Sequence, residues 1–316
     1  VWHEIDEKHF FVIGGSWSRK MPYNGNSECF AFPGDFHPAI SHVENCVNVT
    51  WMQMNIHLFE LTGDARYFKE AELTLLNDLY GHQHPGGIDW CYFTAPNEPE
   101  PPFEPRFSCC ASSGPRGLEM FSSHLAGKIN DHLSVNCLAP ASIELPDQFE
   151  SDFPSGSSAE ILFDTERSGT YTVEFRLPAG TSLNKAEING TETEVTENER
   201  GFLELTRKWE KGDLLSIDME YILELHAQSG EDGQTWIAFT YGPLALAQDI
   251  TEFPEEGPFE GLGLNPEEPE TILAMLSRSG TADSQILFTI NDTGITLKPY
   301  YQTFDRESGP KTYFRL

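Results

Sequence analysis

Basic side chains are scarce in this sequence, and so are long apolar runs. Only 20 lysines and arginines stand against 50 aspartates and glutamates in 316 residues, and the formal net charge at pH 7 is −30. The phosphates of nucleic acids and anionic lipid headgroups repel such a chain. No apolar stretch approaches the roughly 20 residues that a membrane-spanning helix needs. These two shortages exclude nucleic acid and the membrane as partners.

Cysteine is also rare and unevenly distributed. The six cysteines are Cys29, Cys46, Cys91, Cys109, Cys110 and Cys137, and none follows in the rest of the chain. A disulfide scaffold would need cysteines along the whole chain. The adjacent Cys109 and Cys110 could pair only through a strained ring. We therefore expect reduced thiols, which favour metal binding or nucleophilic chemistry over cross-linking.

The first 130 residues show the spacing of amphipathic helices. Apolar residues recur at steps of three and four in one stripe, Ile40, Val43, Val47, Trp51, Met54, Leu58 and Leu61. We expect this helix to stop at Thr62-Gly63, and Asp64 is a suitable N-cap for a second helix from Ala65 to Tyr80. Because the connection is so short, the two helices form an antiparallel hairpin.

A third helix is predicted from about Pro115 to Lys128, with Ser112 or Ser113 as its cap and the proline in its first turn. The segment before it, 82–108, is rich in proline and glycine. Long ordered loops of this kind commonly shape binding sites.

From about Leu133 the hydrophobic period changes from that of helices to that of strands. Alternating runs predict strands at 161–163, 171–177 and 203–205, and Asn189-Gly190 marks a tight turn. Such short strands are typical of a β-sandwich or a jelly-roll-like module. An acidic connector at 251–270 precedes two further strands near 286–290 and 295–299. The predicted fold class is therefore α+β.

Four side chains in the helical half suit one zinc ion. Glu44 and Cys46 stand two residues apart, and Cys109 and Cys110 follow later in the chain. Zinc accepts thiolate and carboxylate ligands in a tetrahedral arrangement. Residues i and i+2 point about 200° apart on a helix but share a face in an extended segment. We therefore expect the helix to begin at or after Cys46, and both pairs to lie near helix N-termini, whose dipole favours thiolates.

The residues alone leave other interpretations open. The cysteines could be small core residues, and Glu44 could be a first-turn acid. Glu28 could be a solvated loop acid, Tyr92 part of a loop core and Glu72 a surface residue on the second helix.

A series of short motifs runs along the chain. They include Phe11-Val12-Ile13-Gly14-Gly15, Glu28-Cys29-Phe30, Glu44-Asn45-Cys46, Leu61-Thr62-Gly63-Asp64-Ala65, Phe107-Ser108-Cys109-Cys110, Phe175-Arg176-Leu177-Pro178, Tyr241-Gly242-Pro243-Leu244 and Pro299-Tyr300-Tyr301. In their order, and in the spacing of Glu28 and Glu44, they resemble the β-L-arabinofuranosidase-like glycoside hydrolases, family 127 and its relatives. The resemblance covers nearly the whole chain.

The resemblance implies a multidomain fold, an (α/α)6 barrel followed by β-sandwich domains. Residues 1–130 would be the C-terminal part of the barrel, residues 131–250 a β-sandwich, and residues 251–316 a connector with a short β segment that packs on the sandwich or barrel. Because twelve barrel helices need more chain than this, and because the sequence begins at Val1, we expect a fragment of a longer protein.

The resemblance also implies a chemistry, retaining glycoside hydrolysis of a carbohydrate substrate. A zinc ion would be held by Glu44, Cys46, Cys109 and Cys110. Cys109 would be the nucleophile and Glu28 the acid/base. Glu72 and Tyr92 match positions that line the sugar pocket in the family. Reduced thiolates favour the cytoplasm over the periplasm as the compartment.

The sequence departs from the family pattern next to the cysteine pair. Ala111-Ser112-Ser113-Gly114 follows it where many members have Pro-Pro-Asn, and Cys29 after Glu28 is atypical. The substrate could therefore differ from an arabinofuranoside. A second hypothesis is a non-catalytic, carbohydrate-associated or structural β-sandwich module with a degenerate helical region.

Overall fold

The computed structural model shows an α+β fold with few helices and many strands. It describes residues 1–16, 18–19, 30, 33–98, 108–129, 132–142, 147–151, 153–164, 168–252, 254, 257–279, 285–304 and 308–316. The α-helices are α1 (Trp2–Lys8), α2 (Asn45–Thr62), α3 (Ala65–Thr74), α4 (Tyr80–His82), α5 (Cys109–Ser122) and α6 (Pro269–Leu273). Short 3-10 helices span Pro33–Asp35 and Tyr300–Gln302. Within these ranges, no helix is both long and apolar enough to cross a bilayer.

The described strands form four sheets. The first contains β1 (Ser18–Arg19), β2 (Ser41–Glu44) and β3 (Phe93–Thr94). The second and third are built from β4 (Ala126–Ile129), β5 (His132–Val135), β6 (Ala141–Ser142), β7 (Asp147–Ser151), β8 (Ser158–Phe163), β9 (Gly169–Phe175), β10 (Thr181–Ile188), β11 (Thr191–Glu192), β12 (Thr196–Glu197), β13 (Leu203–Trp209) and β14 (Leu214–Tyr221). The fourth contains β15 (Leu223–Ser229), β16 (Thr235–Tyr241), β17 (Leu244–Ile250), β18 (Leu276–Arg278), β19 (Phe288–Ile290), β20 (Ile295–Pro299), β21 (Gly309–Lys311) and β22 (Phe314–Arg315).

The structure confirms the helical hairpin. Helix α2 ends where Gly63 adopts a left-handed φ of 67°, which glycine tolerates, and its N–H donates to the Phe59 carbonyl. Asp64 caps α3 because its carboxylate accepts the backbone N–H of Arg66. A π-helical turn, Leu75–Leu79, joins α3 to α4, so the helical stretch ends at His82, two residues beyond the prediction.

The apolar stripe predicted for the first long helix shares only Trp51 with its buried face. Ile40 and Val43 precede the helix, and Leu61 is 82% exposed. The residues that α2 buries are Asn45, Asn48, Val49, Trp51, Met52, Asn55 and Ile56. An apolar-periodicity count passes over the three asparagines because they are polar. Their burial is stabilised by hydrogen bonds such as that from the Asn48 amide to the Asp78 carboxylate, at 2.7 Å.

The second and third sheets pack face to face as a β-sandwich. Their strand orders are β11-β10-β14-β8-β7-β6 and β12-β13-β9-β5-β4. Along β8, buried residues alternate with exposed ones, and Phe163 stacks on Trp209 of the opposite sheet at 4.1 Å between ring centroids. Asn189 and Gly190, with φ values of 52° and 75°, form the tight turn between β10 and β11. The strands predicted between 161 and 205 are confirmed.

The fourth sheet is covered on both faces. Its path is β15-β16-β17-β20-β19-β18, and β22 and β21 pair with β16 and β17. Phe239 packs in the core that also holds α2 and α3 residues, whereas the adjacent Ala238 packs with Phe11 and Tyr313. The two strands expected near the C-terminus are confirmed as β19 and β20. Strands β15 to β17 lie within residues 131–250 but belong to this fourth sheet and not to the sandwich, because β16 and β17 pair with strands of the C-terminal segment.

Candidate metal centre

The four predicted zinc ligands lie together. One carboxylate oxygen of Glu44 and the Sγ atoms of Cys46, Cys109 and Cys110 are all within 4.8 Å of one another. The Sγ atoms of Cys46 and Cys110 are 3.4 Å apart. Unrelated core residues from two distant segments would not be expected to converge in this way. All five cysteines in the described ranges are free thiols, as predicted.

Glu44 and Cys46 reach the same point because the backbone changes from strand to helix between them. Glu44 ends β2 with φ −92° and ψ 132°, an extended conformation, and is the N-cap residue of α2. The helix begins at Asn45, so the expectation that it begins at or after Cys46 is wrong by one residue. Because the backbone is extended at Glu44, the Glu44 side chain points to the same side as the Cys46 side chain in the first helical turn.

Cys109 and Cys110 are the first two residues of α5. The Ser108 hydroxyl caps this helix by accepting the Ala111 N–H at 3.4 Å. The prediction that a helix starts at Pro115 is therefore wrong: the proline lies inside α5, although the first turn is its usual place. Both cysteine-bearing segments nevertheless lie at helix N-termini, where the positive end of the helix dipole stabilises thiolates.

The thiols of the cluster are partly desolvated. Burial raises the pKa of the Cys46 thiol. Burial and the adjacent Cys46 sulfur raise the pKa of the Cys110 thiol. Both groups therefore keep their protons at neutral pH unless a nearby cation stabilises the thiolates, and a bound metal ion is such a cation.

The donor set and its spacing fit zinc. Three sulfurs and one carboxylate oxygen fill a tetrahedral shell. With Zn–S bonds of about 2.3 Å, the sulfurs of such a shell lie about 3.8 Å apart. The 3.4 Å between Cys46 and Cys110 and the 4.8 Å limit for the whole set agree with this spacing.

A cleft of about 470 Å³ opens beside the cluster. Glu44, Cys46 and Cys109 contribute to its lining, and its apolar walls are formed by Ile5, Phe30, Val47, Trp51 and Met54. The α2 stripe predicted as a core face thus supplies part of a cleft wall. Cys109 is exposed whereas Cys110 is buried. Cys109 is therefore the sulfur that a small molecule in the cleft can reach most directly.

Tyr92 lies beside the cluster but is not one of the residues that line the cleft, and the sugar-pocket position that the resemblance implies for it stays a prediction. Its hydroxyl oxygen is 3.9 Å from Cys109 Sγ, and its carbonyl accepts the backbone N–H of Asn45 at 3.1 Å. Desolvation, strengthened by the neighbouring Cys109 sulfur, raises the pKa of the Tyr92 hydroxyl. The hydroxyl therefore keeps its proton and can act as a hydrogen-bond donor beside Cys109.

Glu72 does not line the cleft. It is fully buried in α3, and its carboxylate pairs with the guanidinium of Arg176, which follows β9 of the sandwich. Neither the sugar-pocket position nor the surface position predicted for Glu72 fits this contact. The predicted acid/base, Glu28, lies outside the described residues, and its role stays a prediction.

Two polar residues at the cluster were not predicted. The Cys46 thiol donates to Ser113 Oγ at 3.3 Å, and the Asn45 side-chain amide donates to the Cys110 carbonyl at 3.3 Å. Ser113 stands three residues after Cys110, a spacing that places both on one side of a helix. That spacing is informative only if the helix starts at Cys109, whereas the sequence pattern predicts a start near Pro115.

The comparisons with known proteins cover both halves of the chain. Residues 1–123 match the catalytic domain of GH127 β-L-arabinofuranosidases, and residues 133–221 match the GH127 middle domain. No curated protein matches the chain.

Solved structures share the fold at low sequence identity. They include the GH127 β-arabinofuranosidase BT3674 (20% identity, TM-score 0.75) and a GH127 β-L-arabinofuranosidase from Geobacillus stearothermophilus T6 (16%, 0.72). A third, described as a glycoside hydrolase, has 15% identity and a TM-score of 0.73. These alignments cover 99% to 100% of this chain but only 55% to 61% of the other chains. Because the two domain matches together span most of its residues, the chain belongs to the GH127 β-L-arabinofuranosidase family.

Proposed function

We propose that this chain carries the zinc-dependent active site of a retaining glycoside hydrolase. The observation that carries the proposal is the convergence of Glu44, Cys46, Cys109 and Cys110 beside a cleft, with the Cys109 thiol exposed. Membership of the GH127 family supports the reaction class. The second hypothesis, a non-catalytic module with a degenerate helical region, does not account for a complete set of four metal ligands.

Cys109 is the nucleophile in this proposal. Its thiolate attacks the anomeric carbon while the bond from that carbon to the leaving-group oxygen breaks, and Glu28 transfers a proton to that oxygen. Water then attacks the same carbon, gives a proton to the Glu28 carboxylate and displaces the sulfur as thiolate. Two inversions restore the original configuration. Zinc bound by Glu44, Cys46, Cys109 and Cys110 would keep the thiols deprotonated at neutral pH.

The substrate and the finer architecture are also part of the proposal. Two of the related structures are described as β-arabinofuranosidases, so β-L-arabinofuranosides are the first substrates to test. Residues 1–130 would form part of an (α/α)6 barrel, and the antiparallel hairpin of α2 and α3 supports this assignment. The domain limit at 130 is kept as a prediction, and reduced thiols at the site favour the cytoplasm. The limit at 250 divides the fourth sheet, because β15 to β17 precede it and β18 to β22 follow it.

Metal content tests the site. We expect about one zinc ion per purified chain by inductively coupled plasma mass spectrometry, because the four ligands complete one tetrahedral shell. Cys110→Ser should lose most of this zinc, since it removes a buried thiolate ligand. Cys91→Ala is the matched control, because Cys91 is a buried thiol outside the cluster, and it should retain the metal. A wild-type chain without zinc in metal-replete medium would contradict the site.

The stereochemistry of hydrolysis tests the mechanism. The product of the complete reading frame that encodes this chain should release β-L-arabinofuranose first from an aryl β-L-arabinofuranoside. Retention follows from two displacements at one carbon, first by Cys109 and then by water. Proton NMR of the first-formed anomer, recorded before mutarotation, distinguishes the outcomes. Initial formation of the α anomer would exclude a covalent intermediate on Cys109.

A further inference from the structure

We propose that the Ser113 hydroxyl donates a hydrogen bond to the Cys46 thiolate and holds this sulfur in place as a non-reacting metal ligand. Ser113 Oγ lies 3.3 Å from Cys46 Sγ, and Ser113 is only 9% exposed. The inference rests on the proposed metal site and adds a positioning residue to it.

The helix directs Ser113 to the cluster. Ser113 stands one turn after Cys110 on α5, so the two side chains share a helix face. Serines within helices commonly return their hydrogen bond to a carbonyl three or four residues earlier. The neighbouring Ser112 does so, donating to the Cys109 carbonyl at 2.9 Å from an exposed position. Ser113 differs from it because its hydroxyl lies at the sulfur of Cys46.

Deprotonation reverses the direction of this hydrogen bond. As a thiol, Cys46 donates to Ser113 Oγ. A thiolate can only accept, whereas a hydroxyl can rotate and donate. Because the acceptor is then charged, the bond becomes shorter and stronger. Outer partners of this kind fix the orientation of metal ligands and adjust their donor strength.

The same contact makes Cys46 a poorer nucleophile. A hydrogen bond to the Cys46 thiolate withdraws electron density from it and lowers its reactivity towards carbon. Cys110 Sγ lies 3.8 Å from the Tyr92 carbonyl, a group that has no proton to donate, but Cys110 is buried. Cys109 also has a hydroxyl near its sulfur, that of Tyr92 at 3.9 Å, so its exposure is what distinguishes it from the other two sulfurs.

Zinc affinity tests the inference without any assay of turnover. We expect Ser113→Ala to weaken zinc binding about tenfold, as is typical when an outer partner of a ligand is removed. Affinity is measured by competition with a chromophoric chelator. In the cobalt-substituted chain, the sulfur-to-metal charge-transfer band should also shift, since the electron density on the Cys46 sulfur changes.

Three variants separate the hydrogen bond from packing. Ser113→Thr and Ser113→Val have nearly the same shape, so only the threonine variant should keep wild-type affinity and the wild-type cobalt spectrum. Ser112→Ala should change neither quantity. Equal values for the threonine and valine variants would overturn the inference, as would wild-type affinity in Ser113→Ala. A wild-type chain that binds neither metal would instead remove the proposed site, and this inference with it.

Discussion

Replacing Cys109 with alanine is expected to lower glycoside turnover by a factor on the order of 10⁴ or more, the scale on which removal of a nucleophile acts. Water would have to attack the anomeric carbon directly, at a site arranged for a sulfur nucleophile. The measurement is kcat on an aryl β-L-arabinofuranoside, with the product of the complete reading frame loaded with zinc. Turnover within tenfold of the wild type would remove Cys109 from this role.

Zinc content must accompany this measurement, because Cys109 is also a predicted ligand. Cys109→Ala leaves Glu44, Cys46 and Cys110, and three protein ligands with one open position are sufficient for many zinc sites. We therefore expect the variant to bind zinc and lack turnover. Ser112 lies one helical turn after Cys109 on α5 and provides the control. Ser112→Ala should match the wild type in zinc content and in turnover.

Selective alkylation gives an independent result for the same residue. A haloacetamide carried on an arabinofuranosyl group should modify Cys109, which is exposed, and leave Cys110 unmodified, which is buried. Peptide mass spectrometry locates the modified cysteine. Modification of Cys46 in preference to Cys109 would show that exposure in the cleft does not select the nucleophile.

The metal ligands could be predicted from the sequence because their chemistry is local. Glutamate and cysteine two residues apart, with a later cysteine pair, define a donor set before any fold is known. The secondary structure around these ligands could not be predicted. The apolar stripe placed Ile40 and Val43 on a helix, whereas the strand β2 extends to Glu44 because it pairs with β3 across Val43 and Thr94.

The burial of polar residues on α2 could not be predicted, because it depends on partners far away in sequence. Asn48 is buried on α2 because Asp78, in the π-helical turn, accepts its amide hydrogen bond. Asp78 also accepts a hydrogen bond from the Thr94 hydroxyl at 2.8 Å. No periodicity along α2 reveals such partners. The β half was easier, because the strands of the sandwich alternate with period two and bury one face each.

The position of Glu72 also depends on a contact that is distant in sequence, its ion pair with Arg176. Glu72→Gln is expected to lower the free energy of unfolding by about 3–5 kcal/mol, the usual cost of removing one partner of a buried ion pair. The glutamine keeps the shape of the side chain but leaves the Arg176 guanidinium, only 2% exposed as a residue, without a counter-charge. Urea denaturation followed by circular dichroism measures the change.

Arg176 cannot escape to solvent when its partner is neutral. Its Nε donates to the Asn136 carbonyl at 2.9 Å, its Nη1 donates to the Leu177 carbonyl at 2.8 Å, and its guanidinium lies over the Phe68 ring. These contacts fix the charge between the helices and the sandwich, so the desolvation cost persists in the variant. The pair thus couples α3 to the end of β9.

Two comparisons identify the buried charge as the cause. Glu210→Gln removes one partner of the exposed Lys208–Glu210 pair, whose side chains are 62% and 61% exposed, and it should change the stability far less, because solvent screens this pair. Combining Glu72→Leu with Arg176→Met removes both buried charges, so it should recover part of the loss, since apolar replacements of a buried pair are often tolerated. If Glu72→Gln is no more destabilising than Glu210→Gln, the ion pair does not hold the helices to the sandwich.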